Sequence, residues 1–254
     1  MPIDCRTRHT HARFPLPGGR AGGPAPRGLR CASSPASTPR EVAISGLQTT
    51  WEYTEAFVGE DEILVAAAAR GAELGAPPIK PGGGAALRFL AALLDARAVV
   101  EVGTGCGVSG VWLLRGMNPQ GVLTSIDAEA EHQRLAKQAY ADAGFAPART
   151  RMISGSALDV LPRLTDGAYD LVFCDADKQE YGDYLRESIR LLRPGGVVAF
   201  DNATWHDKVA DPSQRDPATI AVRELGKAAR DDARLITTLL PVGDGLLVAV
   251  KREA

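Results

Sequence analysis

Glu101-Val102-Gly103-Thr104-Gly105-Cys106-Gly107-Val108-Ser109 decides how the chain is read. It continues the short apolar run Ala98–Val102 and opens a helical stretch, so its glycines stand at a strand-to-helix turn. Glycine there lets the backbone turn tightly and approach a ligand closely. By itself such a turn serves a dinucleotide, a nucleoside or merely a crowded bend. Glu101 sits at the strand end, where a carboxylate suits a cationic or hydroxyl-bearing ligand and repels a pyrophosphate. The G-x-G-x-x-G frame fails from Gly103, because Val108 holds its last position, and the frame Gly105, Gly107, Gly110 begins two residues late. Asp127 closes the next apolar run, 24 residues after Gly103, where an acid can take both ribose hydroxyls. The same Asp127 also reads as an N-cap for a helix expected over Glu129–Ala143.

Working outward, short apolar runs alternate with helical stretches. Strands are expected at Ala98–Val102, Val122–Ile126, Thr150–Ile153, Leu171–Cys174 and Val197–Phe200. The stretch Glu180–Leu192 puts Tyr181, Tyr184, Leu185, Ser188 and Leu192 on one helical face. Strand–helix alternation with nearly continuous apolar strands means a parallel sheet covered on both faces. Leu235–Leu240 and Leu246–Val250 flank Pro241-Val242-Gly243-Asp244-Gly245, and Asp-Gly is a strong tight-turn signal, so an antiparallel hairpin ends the chain. Ahead of the sheet, one helix is expected from Trp51 to about Leu74, ended by Pro77-Pro78, and another from about Gly84 to Leu94. The fold class is α/β: a doubly wound, seven-stranded, mostly parallel sheet over residues 45–254.

Residues 1–44 read differently. The first 40 carry seven arginines against Asp4, a local charge of +6 in a chain whose total is −2, which leaves −8 on the rest. They also hold seven prolines and five glycines, too little apolar surface to offset ordering entropy. A disordered basic leader is expected there, without the apolar core of a secretory signal. No apolar run approaches the ~18 residues of a membrane span. The near-neutral total gives no global field for nucleic acid. Cys5, Cys31, Cys106 and Cys174 show no C-x-x-C spacing, and the four histidines show no ligand spacing, which argues against a disulfide framework and zinc. A cytoplasmic chain is expected, with no nucleic-acid or membrane partner.

The glycine loop with Asp127 resembles the first two motifs of class I S-adenosylmethionine-dependent methyltransferases. Leu191-Leu192-Arg193-Pro194-Gly195-Gly196-Val197 is similar to their later motif. Asp175-Ala176-Asp177-Lys178, Phe200-Asp201-Asn202-Ala203-Thr204-Trp205 and Leu240–Gly245 resemble the cation-dependent O-methyltransferases of the caffeoyl-CoA type, over about Thr49 to Val250. That resemblance implies S-adenosylmethionine contacts. Gly103, Thr104 and Ser109 would line the methionine end with Glu101, and Asp127 would hold the ribose. Ser156 and Ala157 would flank the adenine, and Ile79 would contribute backbone. Asp177 reads equally as a neighbour of the sulfonium or as structural. The resemblance also implies a homodimer.

Asp175 ends one strand, and Asp201 and Asn202 end the next. Ends of adjacent parallel strands converge within ~4.8 Å spacings. Three hard oxygen donors suit Mg²⁺, with positions left for water and substrate. The bland alternative is a cap and a turn. In the implied mechanism a divalent cation lowers the pKa of a catechol-like hydroxyl and Lys178 takes its proton, the alternative for Lys178 being a surface lysine. His206 and Asp207 fall in the following loop, and Trp205 is a candidate aromatic wall for a small aromatic acceptor. Two other functions fit the architecture: a nicotinamide-dependent oxidoreductase and a non-catalytic S-adenosylmethionine-binding module.

Overall fold

The computed structural model describes residues 48–253. The basic leader and its boundary at residues 44/45 lie outside the described residues. Seven strands form one sheet: β1 Ala98–Val102, β2 Val122–Asp127, β3 Thr150–Ser154, β4 Tyr169–Cys174, β5 Leu192–Phe200, β6 Leu235–Leu240 and β7 Leu246–Lys251. Their order is β3-β2-β1-β4-β5-β7-β6. Strands β1 to β5 pair in parallel, and β7 runs antiparallel to both β5 and β6. The expected sheet and terminal hairpin are both present.

The helices are α1 Glu62–Glu73, α2 Pro81–Leu93, α3 Val108–Gly116, α4 Ala130–Asp142, α5 Ala157–Val160, α6 Tyr181–Leu191 and α7 Pro217–Asp231. Strand alternation divides the core between the two faces. Val99, Leu171, Phe173 and Ala199 pack with Leu64, Leu87 and Trp112 of α1, α2 and α3. Val100, Val172, Cys174 and Phe200 pack with Tyr181, Tyr184 and Val222 of α6 and α7. Each central strand is thus apolar on both sides, which is why it reads as a continuous run rather than an alternation. Both described cysteines are buried and unpaired, and burial pushes the Cys174 thiol up to about 12, as expected for an inert packing residue. Among the described residues no helix is long and apolar enough to cross a membrane.

Three boundaries depart from expectation. The single front helix is broken: residues 48–55 are helical, residues 56–61 are not, and α1 begins at Glu62. Asp61 starts it by accepting from Leu64 N at 3.1 Å. Phe57, within the expected helix, is 73% exposed in the break. Helix α2 starts at Pro81 rather than Gly84, since proline suits a first helical position. Strand β5 reaches back to Leu192 through Pro194-Gly195, with an irregular register opposite Tyr169 and Leu171.

The sheet sets the site. Val102 pairs with both Ile126 and Cys174, and Cys174 pairs with Phe200. The next residues, Gly103, Asp175 and Asp201, therefore leave the sheet side by side. The chain steps from β1 outward to β2 and β3, then returns to β4 on the other side of β1. That reversal opens a crevice at the carboxyl ends of the strands.

Candidate active site

A cavity of about 900 Å³ lies in this crevice. The glycine loop forms its floor. Gly103 N donates to Ile126 O at 2.9 Å, and Asp175 N donates to Val102 O at 2.8 Å, so β1 stays in contact with β2 and β4 at the sheet's edge. Gly103 has φ +92°, and a Cβ there would stand 2.1 Å from the Asp175 carbonyl oxygen. Glycine is required both by the backbone angle and by this close approach.

Asp127 braces the loop. Its Oδ2 accepts from Thr104 N and Gly105 N, each at 2.9 Å. Its Oδ1 accepts from Glu129 N at 2.9 Å and lies 3.3 Å from His132 Nδ1. The residue at the cap position of α4 is Glu129, so the N-cap expectation for Asp127 is corrected: its carboxylate ties the turn before α4 to the glycine loop.

Of the thirteen candidate residues, all but Glu101 line the cavity. Glu101 lies beneath the loop, fully buried on the face it shares with Val99. It accepts from Ser109 Oγ at 2.7 Å and Ser125 Oγ at 2.5 Å, and Thr104 Oγ1 lies 2.7 Å from the same Ser125 hydroxyl. Burial pushes its carboxyl up to about 7, against the pull of the two serine hydroxyls. Glu101 supports the loop and Ser109 from below.

Ile79, 3% exposed, walls the cavity just before α2. Ser156 and Ala157 stand at the start of α5 beyond β3. Asp177 is exposed and accepts from Gln179 N at 2.9 Å, capping a short turn over Lys178–Glu180, so a structural role is on view and its side of the cavity is solvated.

The opposite end is built from β4 and β5. Asp201, 3% exposed, has an Oδ1 that is buried without a hydrogen-bond partner. Burial and the neighbouring Asp175 charge push its carboxyl up to about 7. Asn202 follows with φ +56°. Lys178, 9% exposed, donates from Nζ to Asp175 Oδ1 at 2.8 Å and to Ala176 O at 3.1 Å. Its ammonium lies 5.0 Å from the Tyr181 ring and 5.6 Å from the Trp205 ring. The surface-lysine alternative is thereby excluded. Among the described residues no group of three or more His, Cys, Asp and Glu side chains is gathered to hold a metal. The donors here are two carboxylates and an amide, and the orphaned Asp201 oxygen fits a hard cation.

His206 lines the cavity with its ring stacked on Trp205, centroids 5.2 Å apart. A second hollow of about 590 Å³ adjoins, lined by Trp51 and Lys80 together with Thr204 and Asp207. Two residues escaped the sequence reading. Asp244 belongs to the β6–β7 turn yet lines the cavity and accepts from Thr204 Oγ1 at 2.8 Å. Glu55, 8% exposed, accepts from Gly82 N at 3.0 Å and Gly243 N at 2.6 Å, joining the front helix to α2 and to that turn.

Residues 63–252 match the family described as O-methyltransferase. A Mycobacterium tuberculosis protein named as an O-methyltransferase is 49% identical over 213 residues, 84% of this chain and 95% of the relative. Among solved structures, the O-methyltransferase TomG of Streptomyces achromogenes, involved in tomaymycin synthesis and solved with S-adenosylmethionine, is 31% identical with a TM-score of 0.73. It covers 81% of this chain and 99% of its own. A Bacillus cereus O-methyltransferase solved with S-adenosylhomocysteine is 27% identical with a TM-score of 0.72, over 80% and 99% of the two chains. A match over most of the chain, agreement in sheet and loop, and half-identical relatives lead to one assignment: the chain belongs to the class I, S-adenosylmethionine-dependent O-methyltransferases of the caffeoyl-CoA type.

Proposed function

We propose that this O-methyltransferase acts on a hydroxyl of a small, catechol-like aromatic acceptor, and that it uses a divalent cation, Mg²⁺ by preference. The observation that carries the proposal is the buried, unpartnered Asp201 Oδ1 beside Asp175 and Asn202. An orphaned carboxylate oxygen in a buried site is costly unless something positive meets it. Asp175, Asp201 and Asn202 would hold the cation. Bound there, it would lower the hydroxyl pKa and orient the acceptor oxygens.

The chain's own residues do the rest. Gly103, Thr104 and Ser109 line the methionine end of S-adenosylmethionine, and Glu101 supports them from below. Asp127 serves the ribose, Ser156 and Ala157 the adenine, and Ile79 closes the near wall, with Asp177 at the solvated edge. Lys178 Nζ takes the acceptor proton, the carbon–sulfur bond of the methyl donor breaks as the oxygen–carbon bond forms, and the sulfonium charge is discharged. Catalysis on this account is mostly positioning and electrostatics. Trp205 and His206 flank the acceptor's approach.

The test is methyl transfer to matched acceptors: a vicinal aromatic diol, the same ring with one hydroxyl, and the diol already methylated once. Transfer to the diol alone is expected. Equal rates on the single hydroxyl would contradict the two-oxygen mode of binding.

A further inference from the structure

Asp244 lies in a turn whose Asp-Gly sequence suffices to make a hairpin, yet it is 8% exposed, unusual for a turn aspartate. Its carboxylate is spent on the loop after β5. Thr204 Oγ1 donates to Oδ1 at 2.8 Å. His206 N donates to Oδ1 at 2.8 Å and to Oδ2 at 3.0 Å, and Asn202 Nδ2 donates to Oδ2 at 3.4 Å. His206 Nδ1 lies 3.3 Å from Oδ2. Main-chain bonds run alongside, from Ala203 N to Gly245 O at 2.8 Å and from Thr204 N to Asp244 O at 2.9 Å. Gly245, at φ +79°, lets the two backbones touch: a Cβ there would stand 2.7 Å from Thr204 Cγ2.

The loop so held is strained. Asn202, Trp205, His206 and Asp207 have φ of 56°, 47°, 55° and 64°. A non-glycine residue in this region is disfavoured and persists only where its surroundings over-determine it. The loop carries Asn202, next to Asp201, and Trp205, over Lys178.

We infer that Asp244 is a positioning residue: it fixes loop 202–207 in its left-handed course and thereby aims Asn202 at the cation site and holds Trp205 against Lys178. The cation half of this inference rests on the proposed function, and the loop half does not.

The test uses the full chain and three variants, Asp244→Ala, Asp244→Asn and Thr204→Val. Amide exchange is followed over residues 203–209, and Mn²⁺ is titrated calorimetrically with S-adenosylhomocysteine present. Asp244→Ala is expected to speed exchange at least tenfold and to weaken Mn²⁺ ~10–100-fold, the usual effect of losing a group that orients a ligand. Asp244→Asn keeps an acceptor oxygen and should recover most of both, with Thr204→Val in between. S-adenosylhomocysteine affinity should stay within about twofold, which a general loss of structure would not allow. Wild-type exchange in Asp244→Ala overturns the inference, and so does an Asp244→Asn variant as damaged as the alanine. If Asp244→Ala fails to fold, Thr204→Val decides by the same readings, wild-type exchange there again overturning the inference. Failure of the wild-type protein to take up Mn²⁺ defeats the cation reading instead, and the exchange result then judges the loop claim alone.

Discussion

The two ends of the cavity differ in how completely their polar groups are satisfied. At the β1–β2 end, Asp127 meets three main-chain amides and Glu101 meets two hydroxyls. At the β4–β5 end, Asp201 Oδ1 and Trp205 Nε1 are buried without partners, and four residues of one loop take left-handed angles. At the first end both carboxylates are satisfied by the protein itself, while the Tyr140 hydroxyl behind the loop is buried without a partner. The other carries the loop bound by Asp244 and leaves a carboxylate oxygen of Asp201 without a protein partner. A ligand that binds by hydrogen bonds to a preformed loop suits the first end, and a cation suits the second.

The contrast can be broken by substitution, and the largest effect belongs to the unsatisfied end. Asp201→Ala should reduce methyl transfer to background while S-adenosylhomocysteine still raises the melting temperature as in wild type. Loss of both together would mean that the two ends are not independent. Lys178→Ala comes next. Removal of a general base typically costs ~10²–10⁴-fold, so kcat should fall by that order with Mn²⁺ and cofactor binding retained. A rate within threefold of wild type would remove Lys178 from proton transfer.

The sheet was readable because its strands are buried on both faces and therefore uniformly apolar. Ala98–Val102 and Leu235–Leu240 agree residue for residue with expectation. The break at residues 56–61 was hidden by the helix-favouring Glu and Ala around it, although Asp61 three residues before Leu64 was a legible cap. Candidate residues at strand ends were legible since parallel strands deliver their ends to one edge. Glu101 shares a strand face with Val99, toward α3, where its carboxylate meets Ser109. Glu55 and Asp244 could not be read, since the amides they bind lie 188 and 38 residues away in the chain and an amide leaves no mark in a sequence. The nicotinamide alternative falls with the family assignment.

A pH series sharpens the picture of the first end. The Glu101 carboxyl is raised from 4.5 to about 7 in the folded protein. Between those values the folded state holds a proton that the unfolded state has released. Its contribution to stability is therefore lost as pH rises through that window, to the extent of on the order of 3 kcal/mol by pH 8. Glu101→Gln removes the titration, so its melting temperature relative to wild type should climb between pH 5 and pH 8. A difference independent of pH would show that Glu101 is ionised throughout. The smallest effect is expected at Asp127. Asp127→Ala leaves two loop amides without their acceptor and should weaken S-adenosylhomocysteine ~10–100-fold, with Mn²⁺ affinity unchanged. Weaker Mn²⁺ there would connect the two ends.

On the proposed function, the second end would take a cation that also binds the acceptor. The most direct measurement is the rate of methyl transfer to a vicinal aromatic diol at saturating S-adenosylmethionine, first after exhaustive chelation and then with Mg²⁺ restored. Transfer at background after chelation and full recovery with Mg²⁺ are expected. An undiminished rate in the chelated enzyme would contradict the proposal.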